Sequence, residues 1–434
     1  MQVRPGTVAA AIAAYRADPA VRYAEPDARV FSTQTTIPND PSFGLLWGLH
    51  NTGQTGGKPD ADIDAPEAWN TWTGDPGFRV AVLDTGISYS HPDLASNIWT
   101  NPGEVVNGVD DDGNGYVDDI HGIDTANDDS DPSDDDSHGT HCAGIVGAVG
   151  NNGLGVVGVN WACKLVALKF ETPTSVCPWT SGLISACVEA MEYVIDQGIK
   201  VSSNSYRCYG AFPQALYDVI EASQSIGHIF VAAAGNENQN NDVNPPWPAA
   251  FDLPNIITVA AIDASDKLAS FSNYGPSTVD LGAPGVVIYS TTLNGGFGYK
   301  SGTSMACPHV AGVIALVWSR FPALSWQEVR DQVLDNVRPV PALTGITVTG
   351  GVVNAKSALD AGCMAIPSDI WVDFAFGGFE CGAPSNPFNT LAEGASAVSS
   401  GGTISIKAGS APEAITINKS VLIKAVGGTV TIGQ

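Results

Sequence analysis

Four short stretches of this chain carry almost nothing but apolar side chains: 79–84 (Arg79-Val80-Ala81-Val82-Leu83-Asp84), 165–170, 229–234 and 256–261. A strand with one wet face alternates apolar and polar residues. An unbroken apolar run of this length suits a parallel strand covered on both faces. Helical patterns at 138–149, 181–197 and 213–225 lie between the runs. Strand and helix alternating this way predict βαβ units, hence an α/β fold: a three-layer sandwich on a mostly parallel sheet. Ligands of such sheets bind outside the carboxyl ends of the strands. Asp84 and Asn236 are expected at two such ends.

Single residues are ambiguous. Ser304 stands where the polar loop 293–301 gives way to the apolar run 310–318, so alone it reads as a helix cap. His138 also opens a helix. With His141 it reads as structural, or as part of a metal pair without a third ligand. Asn236 beside Gly235 reads equally as a turn residue.

The three stretches taken together say more. Val82-Leu83-Asp84-Thr85-Gly86, His138-Gly139-Thr140-His141-Cys142-Ala143-Gly144 and Gly302-Thr303-Ser304-Met305-Ala306-Cys307-Pro308-His309-Val310-Ala311-Gly312 follow in the order Asp, His, Ser. Residues 37–362 thereby resemble the subtilisin-like serine proteases, thermitase-like members in particular. They do not resemble the α/β-hydrolases, which run Ser, Asp, His and need Gly where Ala306 stands. The resemblance implies a serine endopeptidase acting through an acyl-enzyme. Ser304 would be the nucleophile, His138 the general base and acid, and Asp84 the group that orients the imidazole. Asn236 and the Ser304 backbone N–H would hold the oxyanion. The rival expectation is a catalytically silent adhesion or binding protein on the same scaffold.

The family binds peptide by strand addition. Ser205-Tyr206-Arg207 and Ala233-Ala234-Gly235 match the walls of its primary specificity pocket. The family usually carries Gly where Arg207 stands. A long cation there is expected to narrow the pocket or to favour acidic groups, against the alternative of a solvent-facing side chain.

Hard cations want six to eight oxygens. Asp110, Asp112, Asn114, Tyr116 and Asp118 or Asp119 place oxygens at alternate positions in a Gly-rich loop, like the first half of an EF-hand. The closing glutamate of that motif is missing, and Asp118 or Asp119 is the expected substitute. The later run 128–136 reads as solvated. The resemblance implies a second calcium site, with side chains from Asp40, Asp93 and Asn152 and carbonyls from Val149, Leu154 and Val156.

The 434 residues carry a net charge of −26. Nucleic-acid or anionic-membrane binding calls for the opposite sign. No apolar run is long enough to span a membrane. The eight cysteines include no CxxC pair, which argues against a zinc ribbon. Cys142 and Cys307 are expected as buried free thiols.

Residues 1–36 resemble the end of a family propeptide plus a linker, so self-processing is expected. No signal peptide is recognisable in the chain, and secretion and a monomeric state are inferred from the family. Residues 363–434 are expected to be β-rich, with strands at 403–407, 414–417, 421–425 and 429–432, either as the start of a parallel β-helix-like domain or as a small β appendage that only packs on the protease.

Overall fold

The computed structural model describes residues 35–173, 180–361, 368–376, 382, 387–413 and 415–433. The expected propeptide remnant up to residue 34 lies outside these residues. So do Cys177, Cys363 and Cys381.

A nine-stranded sheet organises residues 74–352. Its strands are β1 (Gly74–Asp84), β2 (Gly122–Asp124), β3 (Ala162–Lys169), β4 (Val201–Asn204), β5 (Ile229–Ala233), β6 (Ile256–Ile262), β7 (Leu281–Pro284), β8 (Arg338–Pro339) and β9 (Gly351–Val352). Their order is β8-β9-β7-β6-β5-β4-β1-β3-β2. All neighbours are parallel except β8 and β9. The order reverses at β1, which has β3 on one side and β4 on the other. That reversal opens a crevice at the carboxyl end of β1, where Asp84 stands.

The apolar runs are buried on both faces, as their composition requires. Val80 and Val82 of β1 and Ile229 and Val231 of β5 pack under two helices, α1 (His138–Gly147) and α4 (Thr303–Arg320). The intervening Ala81, Leu83, Phe230 and Ala232 pack on the opposite side against α2 (Ile184–Asp196) and α3 (Gln214–Ala222). Each large apolar side chain so buried stabilises the fold by about 1.5–3 kcal/mol. Helix α4 is buried along nearly its whole length, so its first turn is held rigidly against the sheet.

Beyond the main sheet, β10 (Asp369–Val372), β11 (Thr403–Ala411) and β12 (Leu422–Ile432) form a small, wholly parallel sheet. Two expected strands, 421–425 and 429–432, are merged into β12. Residues 415–421 are irregular. A helix not foreseen, Leu391–Ala397, covers this sheet with Leu391 and Ala395 on Ile370, Ile404 and Ile406. Among the described residues, no helix is long and apolar enough to cross a membrane.

Candidate active site

Asp84 ends β1 and is buried, and His138 is the first residue of α1. Asp84 Oδ1 and His138 Nδ1 are 2.6 Å apart. The approach depends on Gly139: a Cβ there would lie 2.1 Å from the Gly86 carbonyl oxygen and 3.0 Å from Asp84 Cβ. Burial pulls the His138 pKa down. The Asp84 charge and hydrogen bond pull it up by more, and the net is above the usual value.

A residue outside the motifs sets the start of α1. Asp134 is buried in the run expected to be solvated. Its Oδ1 accepts from Thr85 Oγ1 (2.8 Å), Asp136 N (2.9 Å) and Ser137 N (3.0 Å). Its Oδ2 accepts from Thr140 N (2.9 Å) and Thr140 Oγ1. Thr85 in turn accepts from Gly139 N (2.9 Å). A carboxylate on unpaired N–H groups at a helix N-terminus is favoured by both hydrogen bonding and the helix dipole. Lys169 Nζ ties the same run to β3 through Ser133 O (2.9 Å) and Asp135 (3.0 Å).

Ser304 is the second residue of α4. Pro308, four residues on, has no N–H, so the Ser304 carbonyl loses its helical partner. Ser205 Oγ (2.9 Å) and Cys142 Sγ (3.3 Å) donate to it instead. Ser205 therefore bonds to the serine turn as well as lining the cleft. Cys142 and Cys307 are free and buried. The Ser304 hydroxyl rests on the Ser205 carbonyl at 3.2 Å.

Asn236 follows β5. Its Oδ1 accepts from Thr303 N (2.9 Å) and Thr303 Oγ1 (3.0 Å). This leaves Nδ2 beside Ser304: a Cβ added to Gly302 would lie 3.5 Å from Ser304 N and 3.6 Å from Asn236 Nδ2. The two donors thus flank one small space, kept open by a glycine.

His138, Ser304 and Asn236 line one cleft of about 740 Å³ with Ser205, Tyr206 and Arg207. Tyr206 packs edge-on against Phe170, and its hydroxyl accepts from Cys187 Sγ at 2.9 Å. Ala233 and Ala234 are buried. Gly235 has φ +107°, and a Cβ there would lie 2.4 Å from Asn273 Nδ2. Arg207 is exposed and forms an ion pair with Glu237, which lines the same cleft.

The acidic loop fits a hard cation, with one change of membership. Glu104, Asp110 and Asp112 bring carboxylate oxygens within 4.8 Å of one another. Glu104 is buried and is held by Asp111 N (2.8 Å), Asp112 N (3.0 Å) and Asp118 N (3.1 Å). Asp118 and Asp119 are not part of this cluster of three. Asp118 turns its carboxylate to Asn107 N and Gly108 N, each at 2.9 Å. Asp119 accepts from Asn101, Asn114 and Tyr193. Asn114 Oδ1 accepts from Tyr116 N (2.8 Å).

Asp40 and Asp93 are also brought together. Asp40 accepts from Asn151 N (2.7 Å) and Asn152 N (3.4 Å). Asp93 accepts from Asn152 Nδ2 and Val156 N, both at 2.8 Å, and its carbonyl accepts from Val149 N (2.9 Å). Asn152 thus turns its amide nitrogen to Asp93, while its oxygen accepts from Leu154 N (2.7 Å). Burial pushes both carboxyl pKa values up, and the Asp40 charge adds to the rise at Asp93. Two buried like charges are costly, and a cation between them removes that cost.

The Subtilase family profile matches residues 75–359. The chain is 36% identical over 319 residues to the thermophilic serine proteinase of Bacillus sp. strain AK1, covering 73% of this chain and 68% of that protein. It is 36% identical over 323 residues to thermitase of Thermoactinomyces vulgaris, covering 74% of this chain and 99% of thermitase. A solved structure of proteases from Pseudoalteromonas arctica PAMC 21717 superposes with a TM-score of 0.59 at 31% identity, covering 75% of this chain and 99% of that one. The chain is a member of the subtilase family of subtilisin-like serine proteases.

Proposed function

We propose that this chain is a serine endopeptidase that cleaves peptide bonds of protein substrates through an acyl-enzyme. The observation that carries the reading is the 2.6 Å Asp84–His138 contact in one cleft with Ser304 and the Asn236 amide. Ser304 Oγ leaves the Ser205 carbonyl and attacks the scissile carbonyl carbon, while its proton passes to His138 Nε2. Catalytic hydrogen bonds in unliganded enzymes are commonly loose and tighten on binding, so the resting Ser304 contact is compatible with this role. Asp84 stabilises the imidazolium. Asn236 Nδ2 and Ser304 N receive the oxyanion. His138 then gives its proton to the leaving nitrogen, the C–N bond breaks, and the acyl group stays on Ser304. Water enters, gives a proton to His138 and attacks the acyl carbon; the bond to Ser304 Oγ breaks, and Ser304 takes the proton back from His138 as the acid product leaves.

Calcium at Asp40/Asp93 and at Glu104/Asp110/Asp112 would supply positive charge that ties the loops bearing these carboxylates. On the family pattern, carbonyls of Val149, Leu154 and Val156 would complete the first site, and Asn114 and Tyr116 the second. We assign residues 1–36 to the end of a propeptide that is removed by self-processing, residues 37–362 to the peptidase domain and residues 363–434 to a β-helix-like appendage. We assign the mature protein to the extracellular space as a monomer. A fluorophosphonate probe is expected to label the calcium-loaded protein, and not the Ser304→Ala variant. Absence of labelling in the mature form would sink the assignment of the nucleophile.

A further inference from the structure

Thr85, Asp134 and Ser137 close a ring of hydrogen bonds around the Asp84–His138 pair. Thr85 N donates to Asp84 Oδ1 (2.8 Å), the same oxygen that meets His138 Nδ1. The Thr85 hydroxyl accepts from the N–H of Gly139, just after His138, and donates to buried Asp134 Oδ1. That oxygen also takes the N–H of Ser137, just before His138. Asp134 Oδ2 takes the N–H and the hydroxyl of Thr140. The Thr140 hydroxyl in turn accepts from Ser88 N (2.9 Å), which fastens the chain after β1 to α1 a second time. Both chain neighbours of His138 are thus tied, directly or through Asp134, to the residue that follows Asp84.

Ser137 is held against its own preference. Its φ is +92° and its ψ −1°, in the left-handed region that an L side chain adopts only at a cost. Its hydroxyl makes no capping bond that would offset this cost. In this conformation the successive N–H groups of Asp136 and Ser137 converge on Asp134 Oδ1, at 2.9 and 3.0 Å. Such a pair of N–H groups forms a concave seat for an anion, and the anion stabilises the turn in return. Without the carboxylate the two groups converge on nothing, and Ser137 gains by returning to negative φ. That return rotates the peptide unit leading into His138, and the imidazole leaves its alignment with Asp84.

We propose that Asp134 is a positioning residue for the reaction: it holds Ser137 in the left-handed turn and, with Thr85, sets His138 against Asp84. The inference rests on the peptidase reading above. Asp136 and His138 line the cleft that contains Ser304, whereas Asp134, Thr85 and Ser137 do not. Their loss should therefore appear in turnover and not in substrate binding.

The test is kcat and KM on one peptide in excess calcium, with active sites counted by exhaustive fluorophosphonate labelling so that kcat refers to folded protein alone. Asparagine at position 134 offers one oxygen to donors that now share two, and turns an N–H group towards the rest. Asp134→Asn is expected to lower kcat per labelled site by on the order of 10², with KM little changed. In the Ser137→Gly background the left-handed turn carries no side-chain penalty. There the same substitution should cost about tenfold less. A carboxylate that only stabilised the fold would change the number of labelled sites and leave the kcat of each unmoved. Thr85→Val should lower kcat by roughly tenfold and Thr85→Ser restore it, which probes the ring without touching the carboxylate. An unchanged kcat per site in Asp134→Asn, or an equal loss in both Ser137 backgrounds, overturns the positioning role. If Asp134→Asn yields no folded protein, the Thr85 variants decide: kcat unmoved in Thr85→Val, or lowered equally in Thr85→Ser, overturns it. Those results alongside turnover and labelling of the unaltered protein reject the positioning role alone, whereas no turnover and no labelling of the unaltered protein reject the peptidase reading with it.

Discussion

Thr303 grips Asn236 twice: its backbone N–H and its hydroxyl both donate to the amide oxygen, at 2.9 and 3.0 Å. The amide is thereby oriented, and its nitrogen is the end left for a ligand. The Thr303 hydroxyl also accepts from Gly235 N (3.2 Å), so the loop after β5 and the start of α4 are fastened at one point. Asn236→Ala is expected to lower kcat by about 10²–10³, the usual cost of one oxyanion donor. Thr303→Val keeps the backbone bond and loses the hydroxyl. It should lower kcat by roughly 10-fold with KM little changed, because the misoriented donor matters only in the transition state. Thr303→Ser should restore the rate. Steady-state kinetics on one peptide checks this. An equal loss in Thr303→Val and Thr303→Ser, or a loss wholly in KM, would contradict the positioning role.

The pH profile follows from the groups around His138. The general base must be neutral, and its pKa lies above the usual value of about 6.5. Activity should therefore fall as pH drops through a value higher than 6.5. Glu171 raises the His138 pKa and Lys300 lowers it. Glu171→Gln should then move the acid limb of kcat/KM to lower pH, and Lys300→Ala should move it to higher pH. The two shifts oppose each other, and a limb that both variants move the same way would contradict this electrostatic account.

Much of this was legible because it is written contiguously. The motifs around Asp84, His138 and Ser304 each sit on one strand end or helix start, and the apolar runs mark β1, β3, β5 and β6. Strand β4 was not legible, although it is central. Its polar Ser202, Ser203 and Asn204 are buried because they pair internally: Ser202 with His228, Asn204 with Ser202 and the Val231 carbonyl, Ser203 with Cys307. No apolar pattern reports such a strand. Glu104 was missed because the EF-hand pattern looks for a carboxylate after the loop, whereas the carboxylate that joins Asp110 and Asp112 lies before it. The Arg207–Glu237 pair joins two loops 30 residues apart, which only adjacency of β4 and β5 brings together.

Calcium removal separates the two acidic sites. A ligand bound only to the folded state, at 100 times its dissociation constant, adds about 2.7 kcal/mol. EDTA at low ionic strength is expected to lower the melting temperature of the Ser304→Ala protein by several degrees, and excess calcium to restore it. Asp93→Asn removes one of the two facing carboxylates, so it should shrink the difference between calcium and EDTA. Glu104→Gln should shrink it independently, through the other loop. A melting temperature indifferent to EDTA would remove both sites.

The carbonyl of Ser304 offers a test of how the nucleophile's turn is held. Pro308 denies it a helical N–H, and Ser205 Oγ and Cys142 Sγ fill the vacancy. A thiol is a weak donor, so Ser205 is expected to supply most of the satisfaction. In a Ser304→Ala background, which prevents self-digestion, Ser205→Ala should cost about 1 kcal/mol of stability. Pro308→Ala returns an N–H at the fourth position, directed at the same carbonyl. With that change in place, the cost of Ser205→Ala should fall towards zero, a coupling that a double-mutant cycle in urea reads directly. An equal cost in both backgrounds would mean that Ser205 acts elsewhere. A cost that vanishes would show that the serine hydroxyl substitutes for a backbone donor removed by proline, one turn from the reacting atom.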